Sequence, residues 1–81
     1  MRLDKFLKLS RVIKRRTVAQ EVCQSGRVNV NGRQAKPAYE LKLNDIITIG
    51  YGDKRFVFKI LTIDEKSIKS EPASAYEVID G

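Results

Sequence analysis

The sequence predicts a single α+β domain, in which two short N-terminal helices pack on a small, mostly antiparallel sheet. Three observations predict it: apolar residues recur at helical spacing near the start of the chain, polar and apolar residues alternate with period two further on, and Asn31-Gly32 separates two alternating runs. A chain of 81 residues is long enough for one domain. The core is expected to be thin, because a domain of this size buries only about 60 to 65 percent of its unfolded surface.

The first predicted helix lies in the first nine residues. Leu3, Phe6 and Leu7 share one side at helical spacing, and the charged residues between them are expected to face solvent. Asp4 and Lys8 stand four residues apart in the favourable order, so they are expected to form a helical ion pair worth about 0.2 to 0.5 kcal/mol. The pattern is typical of a short amphipathic helix.

A second helix is predicted to begin at a capping box in residues 17–20 and to end at Ser25-Gly26. Its apolar stripe consists of Val18, Ala19, Val22 and Cys23. An exposed connector precedes it and carries the basic run Lys14, Arg15 and Arg16. This run therefore lies just ahead of a helix N-terminus, where first-turn amides and the helix dipole also attract anions.

Strands are predicted over residues 27–30, 33–36, 46–51 and 55–63. Asn31-Gly32 is the strongest short signal for a two-residue hairpin turn. Pro37 limits the return strand, because proline cannot donate a hydrogen bond to a ladder. Phe56, Phe58 and Ile60 alternate on one face of the last strand and are expected to belong to the core, as is Phe6.

The predicted domain covers residues 1–63, and residues 64–81 are treated as a C-terminal extension. This extension is polar and mixed, but Tyr76, Val78 and Ile79 alternate as the residues of a docked strand would. The sequence leaves open whether the extension is docked.

Catalytic and metal-binding residue types are scarce. The chain has one cysteine and no histidine, which excludes an internal disulfide and histidine-based catalysis, and no metal or cofactor is expected. Cys23 is expected to be a core residue and not a nucleophile. The acids Asp45, Asp53, Asp64 and Glu65 fall at predicted turns, where we expect them to aid solubility. Charged residues follow Met1 at once and no long apolar run occurs, so a cytoplasmic chain without membrane contact is expected.

Positive charge is concentrated in the first part of the chain. Residues 1–36 carry ten basic and two acidic residues, a net charge of +8, whereas residues 37–81 carry six basic and eight acidic residues, a net charge of −2. A charge excess is often only a solvated face, but segregation into one predicted folded segment favours a polyanionic partner.

Several short motifs together resemble the S-four domain, which is named after the fourth protein of the small ribosomal subunit. They are Arg2-Leu-Asp-Lys-Phe-Leu, Ser10-Arg11, Arg15-Arg16-Thr17-x-Ala19, Gly26-Arg-Val-x-Val-Asn-Gly32, Lys36 and Asn44-Asp45. The match covers roughly residues 1–49, and the short chain resembles the stand-alone branch. That branch includes the heat-shock protein fifteen group and, more similar still, the bacterial ribosome-associated quality control factor P group.

The resemblance implies an RNA-binding face made of the helix pair and the following loop, the alpha-L motif of this family. The contact positions that it implies are Arg2, Arg11, Arg15, Arg16, Arg27, Asn31 and Lys36. The same basic segment adds Lys5 and Lys14 as candidate contacts. Partial packing beside the sheet is the favoured interpretation of Tyr39 and Tyr51, and stacking on bases is the alternative.

For function, the resemblance implies a monomeric factor of ribosome-associated quality control. It would bind large-subunit ribosomal RNA and peptidyl-tRNA on split stalled subunits and support C-terminal tailing of the nascent chain, while a partner protein recruits tRNA. The alternatives are a general ribosome-associated or ribosome-assembly protein and an adaptor whose acidic half meets a basic partner. An RNA-modifying enzyme would need a catalytic domain for which this chain has no room.

Overall fold

The computed structural model describes residues 1–13, 22–51 and 53–80. Within these ranges the chain forms a five-stranded sheet with helices packed against it. The predicted α+β class is therefore confirmed. The basic run at Lys14, Arg15 and Arg16 and the predicted capping box at residues 17–20 lie outside the described residues.

The sheet is antiparallel throughout, with its strands in the order β2-β1-β3-β4-β5. The strands are β1 Val28–Val30, β2 Arg33–Gln34, β3 Ile46–Tyr51, β4 Lys54–Ile60 and β5 Tyr76–Asp80. Val30 pairs with Arg33 across the predicted two-residue turn. Asn31 and Gly32 both have positive φ, at 54° and 83°, as a primed hairpin turn requires. The β1–β2 hairpin predicted from this dipeptide is thus confirmed.

The first helix, α1 (Leu3–Leu9), is held at its start by the segment just before residue 41. The Leu3 amide donates to the Tyr39 carbonyl at 2.9 Å, and the Asp4 amide donates to the Pro37 carbonyl at 3.1 Å. Two of the first-turn amides that a helix leaves without intrahelical partners are therefore satisfied by protein carbonyls. These two amides are thus engaged within the fold and do not form an anion site.

The end of α1 is unusual, because a non-glycine residue adopts the left-handed conformation there. Arg11 has φ 61°, and its amide donates to the Lys8 carbonyl at 3.0 Å, as in a helix-terminating turn. Glycine usually occupies this position because a Cβ atom disfavours positive φ. The sequence has no glycine here, so this helix end could not be predicted from a glycine signal.

Residues 22–24 are helical, and the helix stops at Gly26 as predicted. Gly26 has φ 80°, and its amide donates to the Cys23 carbonyl at 3.2 Å. A Cβ atom at this position would also collide with the side-chain amide of Gln34 on β2. The backbone conformation therefore favours glycine here, whereas the Gln34 side chain is exposed and could move away from a Cβ atom.

The core lies between α1, the helical residues 22–24 and one face of the sheet. Leu3, Phe6 and Leu7 are fully buried, as their spacing predicted. Phe6 stacks on Phe58 of β4 with ring centroids 6.4 Å apart. Phe58 in turn makes an edge contact with Tyr76 of β5 at 5.2 Å, which links the first helix to the last strand through aromatic rings.

Asp4 departs from the prediction that it faces solvent. Its side chain is fully buried, and the described residue with which it forms an ion pair is Arg2, not Lys8. The cause is the segment before residue 41, which packs on the start of α1 and covers Asp4. Helical periodicity alone cannot predict burial by residues that lie more than thirty positions away in the chain.

Residues 64–80, whose docking the sequence left open, are packed on the rest of the molecule. They form α2 (Glu65–Ser70), a 3-10 helix (Pro72–Ala75) and β5. Ile68 and Ala75 are fully buried. Strand β4 ends at Ile60 and not at residue 63, because the Leu61 amide leaves the ladder and donates to the Ala75 carbonyl at 2.8 Å. In the parts of the chain that the structure describes, no helix is long and apolar enough to span a membrane.

Candidate nucleic-acid interface

Arg2 is oriented by a buried carboxylate. Its Nε and Nη2 atoms donate to the two carboxylate oxygens of Asp4, each at 3.2 Å. The Asp4 side chain is fully buried, whereas the Arg2 side chain is 50% exposed. Two of the five guanidinium N–H groups are used in this way, and the others remain on the exposed side. The pair therefore presents a pre-oriented arginine at the start of α1, suited to binding a phosphate group.

Lys5 is held by α2. Its Nζ atom lies 3.1 Å from Oε1 of Glu65, and Nζ of Lys69 lies 3.3 Å from the same oxygen. Hydrogen bonds from Lys5 first and Lys69 second lower the pKa of the Glu65 carboxyl. One carboxylate is thus shared by two lysines, which leaves one positive charge in excess on a surface shared by α1 and α2.

Glu40 adds a second acid near the start of α1. It forms an ion pair with the N-terminal ammonium of Met1, and the hydrogen bond from that ammonium lowers the pKa of the Glu40 carboxyl. A shallow depression of about 400 Å³ brings these groups together; it is lined by Met1, Arg2, Lys5, Glu40, Ile63 and Glu65. In this depression most positive groups face a carboxylate.

Three other predicted contacts are exposed cations: Arg11, Arg27 and Lys36. None of them forms an ion pair with any residue in the described ranges. Arg11 follows α1, Arg27 precedes β1, and Lys36 stands next to Pro37, which bonds to the start of α1. A cation without an acidic partner binds a phosphate at a lower cost in free energy, because no existing ion pair has to be broken.

Lys36 also lies at the side of a groove with a volume of about 470 Å³. The groove runs between the end of the helical residues 22–24 and the return strand of the hairpin. Gln24 and Gln34 supply amide groups there, and Cys23 and Ala35 supply apolar surface. Among the residues that the structure describes, its walls offer hydrogen bonds and a cation but no carboxylate.

Asn31 is engaged inside the fold. Its Nδ2 donates to Oδ1 of Asp45 at 3.0 Å, and its Oδ1 accepts from the Ile46 amide at 3.0 Å. Asp45 also accepts from the Lys42 amide at 2.9 Å. This set of hydrogen bonds, here called the Asn31–Asp45 bracket, ties the β1–β2 turn to the turn before β3. The side chain predicted to touch RNA thus has a structural role.

The prediction that Asp45 is a solubilising turn residue is wrong. Its side chain is only 7% exposed, and it accepts hydrogen bonds from two separate segments. A buried carboxylate needs such donors, since an unsatisfied one is costly. Its partner Asn31 lies 14 residues away, so no local pattern could have shown the link.

Arg33 was not among the predicted contacts, yet the structure places it beside them. It is exposed on the edge strand β2, and it lines a shallow depression of about 310 Å³ together with Asn31, Gln34 and Tyr39. Tyr39 is 40% exposed, so its ring is accessible for stacking. Arg33 was counted in the positive charge of residues 1–36, and this signal could have identified it.

Cys23 is a core residue, as predicted. Its side chain is 2% exposed, and burial, with a smaller contribution from the Asp4 charge, raises the pKa of the thiol to about 11. A thiol with such a pKa carries almost no thiolate at neutral pH. Within the described ranges, no group of three or more histidine, cysteine, aspartate or glutamate residues could hold a metal ion.

The structure places the predicted contacts in different parts of the fold. Arg2, Lys5 and Lys36 surround the start of α1, whereas Arg11 lies at its opposite end. Arg27 lies at the start of β1, and Lys14, Arg15 and Arg16 lie outside the described residues.

Comparison with known proteins gives a consistent result. The S4 domain family model matches residues 1–47. This is the S-four domain that the sequence motifs resemble. The chain is 49% identical over 79 residues to a protein of Streptococcus pneumoniae named RQC P-site tRNA stabilizing factor, covering 98% of this chain and 90% of that protein. It is 36% identical over 78 residues to heat shock protein 15 of Escherichia coli, covering 95% of this chain and 59% of that protein.

A solved structure agrees with the fold. The trimeric structure of heat shock protein 15 from Vibrio cholerae superposes with a TM-score of 0.84 at 29% identity, covering 98% of this chain and 81% of that chain. The matched residues include α1, the helix end at Gly26 and the β1–β2 hairpin, and every predicted contact falls within residues 1–47. The chain therefore belongs to the S4 domain family.

Proposed function

We propose that this chain is an RNA-binding factor of ribosome-associated quality control that stabilises tRNA in the P site. Full-length relatives at 49% and 43% identity bear the name RQC P-site tRNA stabilizing factor, which supports a role in that process. The observation that carries the proposal is a group of exposed cations without acidic partners in the described part of the S4 region, which includes Arg11, Arg27, Arg33 and Lys36.

The chemistry of these cations fits RNA backbone. An arginine fork can hold two phosphate oxygens at once, and lysine adds a compact charge. Side chains cannot reach the base edges in the deep major groove of duplex RNA, so a patch of cations binds the shape and charge of the backbone. The bidentate pair of Arg2 with buried Asp4 supports this function, because the arginine is already fixed before RNA arrives.

In the full proposal the factor bridges two RNAs on a split, stalled large subunit. One is large-subunit ribosomal RNA and the other is peptidyl-tRNA, and Lys14, Arg15 and Arg16 belong to the interface. By holding the tRNA, the factor supports C-terminal tailing of the nascent chain, while a partner protein brings the incoming tRNA. This role needs binding and positioning, not catalysis, and it places the protein in the cytoplasm with the ribosomes.

The test compares two arginines. Arg27 is exposed and belongs to the proposed interface, whereas Arg55 of β4 is 69% exposed and pairs with Asp80 near the opposite edge of the sheet. Binding of a structured RNA is measured at several salt concentrations for the wild type, Arg27→Ala and Arg55→Ala. We expect Arg27→Ala to weaken binding and reduce the slope of log affinity against log salt by about 0.7 to 0.9.

Arg55→Ala is expected to retain the wild-type slope, and both variants should unfold at the wild-type temperature. Equal slopes for the wild type and Arg27→Ala would contradict the proposed interface. A wild-type protein that shows no salt-dependent RNA binding would overturn the proposed function itself.

A further inference from the structure

A second cationic cleft lies at the junction between α1 and the C-terminal segment. Its volume is about 390 Å³, and its walls include Ser10, Arg11, Lys69, Ser70, Pro72 and Tyr76. We propose that this cleft binds one unpaired nucleotide of RNA, with the phosphate on Arg11 and Lys69 and the base on Tyr76. The inference rests on the proposed function and extends the RNA footprint beyond the S4 region.

The charges of the cleft favour an anion. Arg11 and Lys69 are its charged lining residues, and no carboxylate lines it in the part of the chain that the structure describes. The depression around Arg2 and Lys5 differs, because Glu40 and Glu65 line it. Lys69 does contact Glu65, but at 3.3 Å and in competition with Lys5 at 3.1 Å. A phosphate in the cleft would therefore displace only a shared, exposed contact.

The backbone conformation of Arg11 supports a ligand-binding role for its side chain. With φ 61°, Arg11 adopts a conformation in which a Cβ atom is unfavourable, and glycine would serve the helix end better. In the described ranges its guanidinium forms no ion pair, and it lines the cleft. No acidic partner within the described ranges accounts for arginine at this position, whereas an anionic ligand does.

Tyr76 supplies an aromatic surface that is already fixed in place. Its ring packs edge-on against Phe56 at 6.4 Å and against Phe58 at 5.2 Å. The residue is only partly buried, and Pro72 lines the cleft beside it. Stacking on an aromatic ring is the usual way in which proteins hold an unpaired base, and it tolerates any base.

The S4 family model ends at residue 47, so Lys69 and Tyr76 lie outside the region that defines the family. Arg11 lies within it. The cleft therefore exists only because residues 64–80 dock on the S4 region. We infer that the docked segment supplies RNA contacts as well as a strand.

The experiment uses the full chain and two fluorescent RNAs: a blunt hairpin, and the same hairpin with a short single-stranded 3′ extension. Lys69→Ala is compared with Lys66→Ala, which removes an exposed lysine of the same helix that does not line the cleft. We expect Lys69→Ala to lose severalfold in affinity for the extended RNA and to reduce its salt slope by about 0.7 to 0.9. On the blunt hairpin it should match Lys66→Ala.

Arg11→Gly provides a second variant that keeps the left-handed backbone, so it should fold at least as well as the wild type. Because Arg11 also belongs to the proposed interface, this variant is expected to weaken binding of both RNAs and to lose, in addition, the preference for the extended RNA. If Lys69→Ala matches Lys66→Ala on the two RNAs and Arg11→Gly weakens both RNAs equally, while Arg27→Ala still weakens binding, the cleft is overturned and the proposed function stands. If the wild type binds neither RNA, both proposals are overturned.

Discussion

Replacing Asn31 by alanine separates a structural role from an RNA contact. The change removes two side-chain hydrogen bonds of 3.0 Å, one of them to the carboxylate of Asp45. A hydrogen bond to a charged group is worth about 1.5 to 3 kcal/mol and a neutral one about 0.5 to 1.5. Because Asn31 is exposed, hydrogen bonds to water replace part of the lost energy. Alanine at φ 54° adds backbone strain. We expect a loss of about 2 to 4 kcal/mol in the free energy of unfolding.

The assay is urea unfolding of the wild type, Asn31→Ala and a matched control, Asn44→Ala. Asn44 also has positive φ, at 70°, but in the described part of the chain its side chain makes no hydrogen bond. It should therefore show the backbone cost without the loss of the bracket, about 1 kcal/mol or less. RNA affinity of Asn31→Ala, measured well below its melting temperature, should stay close to wild type. Nearly wild-type stability combined with lost RNA binding would refute the structural role.

Two further predictions concern single titratable groups. Burial raises the pKa of the Cys23 thiol from 9.0 to about 11, so its contribution to stability is complete below pH 9 and is lost as the pH rises to 11. The wild type should lose about 1 kcal/mol more than Cys23→Ala between pH 8 and pH 10 in urea unfolding, and equal losses would contradict the shift. Glu65→Gln frees Lys5 and Lys69 from a shared carboxylate, so RNA affinity at low salt should rise by about threefold or less. Glu71→Gln, an exposed acid just after α2, is the control, and an equal gain there would show only a change in net charge.

Features governed by neighbouring residues could be predicted from the sequence. The stripe of Leu3, Phe6 and Leu7 indicated α1, and Asn31-Gly32 indicated the hairpin, because helical spacing and positive-φ turns depend on a few adjacent residues. Gly26 indicated the end of the second helix for the same reason. Each of these elements is present where the local pattern placed it.

Features governed by distant contacts could not be predicted in this way. Asp4 is buried because residues 37–39 pack on the start of α1, and Asp45 is buried because Asn31 reaches it across 14 residues. Arg11 ends a helix without a glycine signal. The last strand, β5, has only a weak alternating pattern in the sequence. Val78 and Ile79 are both more than half exposed, so pairing with β4, and not burial of alternate residues, decides its structure.

The candidate site was predictable in its residue types but not in its electrostatics. Charge segregation indicated a basic segment, and most of its described cations are exposed. It could not show that Arg2 and Lys5 are held by Asp4 and Glu65, whereas Arg27 and Lys36 have no acidic partner in the described ranges. These pairings depend on which acids the fold brings close, and one of them comes from α2.

The most direct test is cosedimentation of the tagged protein with empty large ribosomal subunits and with large subunits that carry peptidyl-tRNA. The wild type is compared with a variant in which Arg15 and Arg16 are both replaced by alanine, and Arg55→Ala serves as the control. We expect strong preference for the tRNA-loaded particle in the wild type and the control, and loss of that preference in the double variant. Equal binding of the wild type to both particles would contradict a P-site tRNA role and indicate a general ribosome-associated or assembly protein instead.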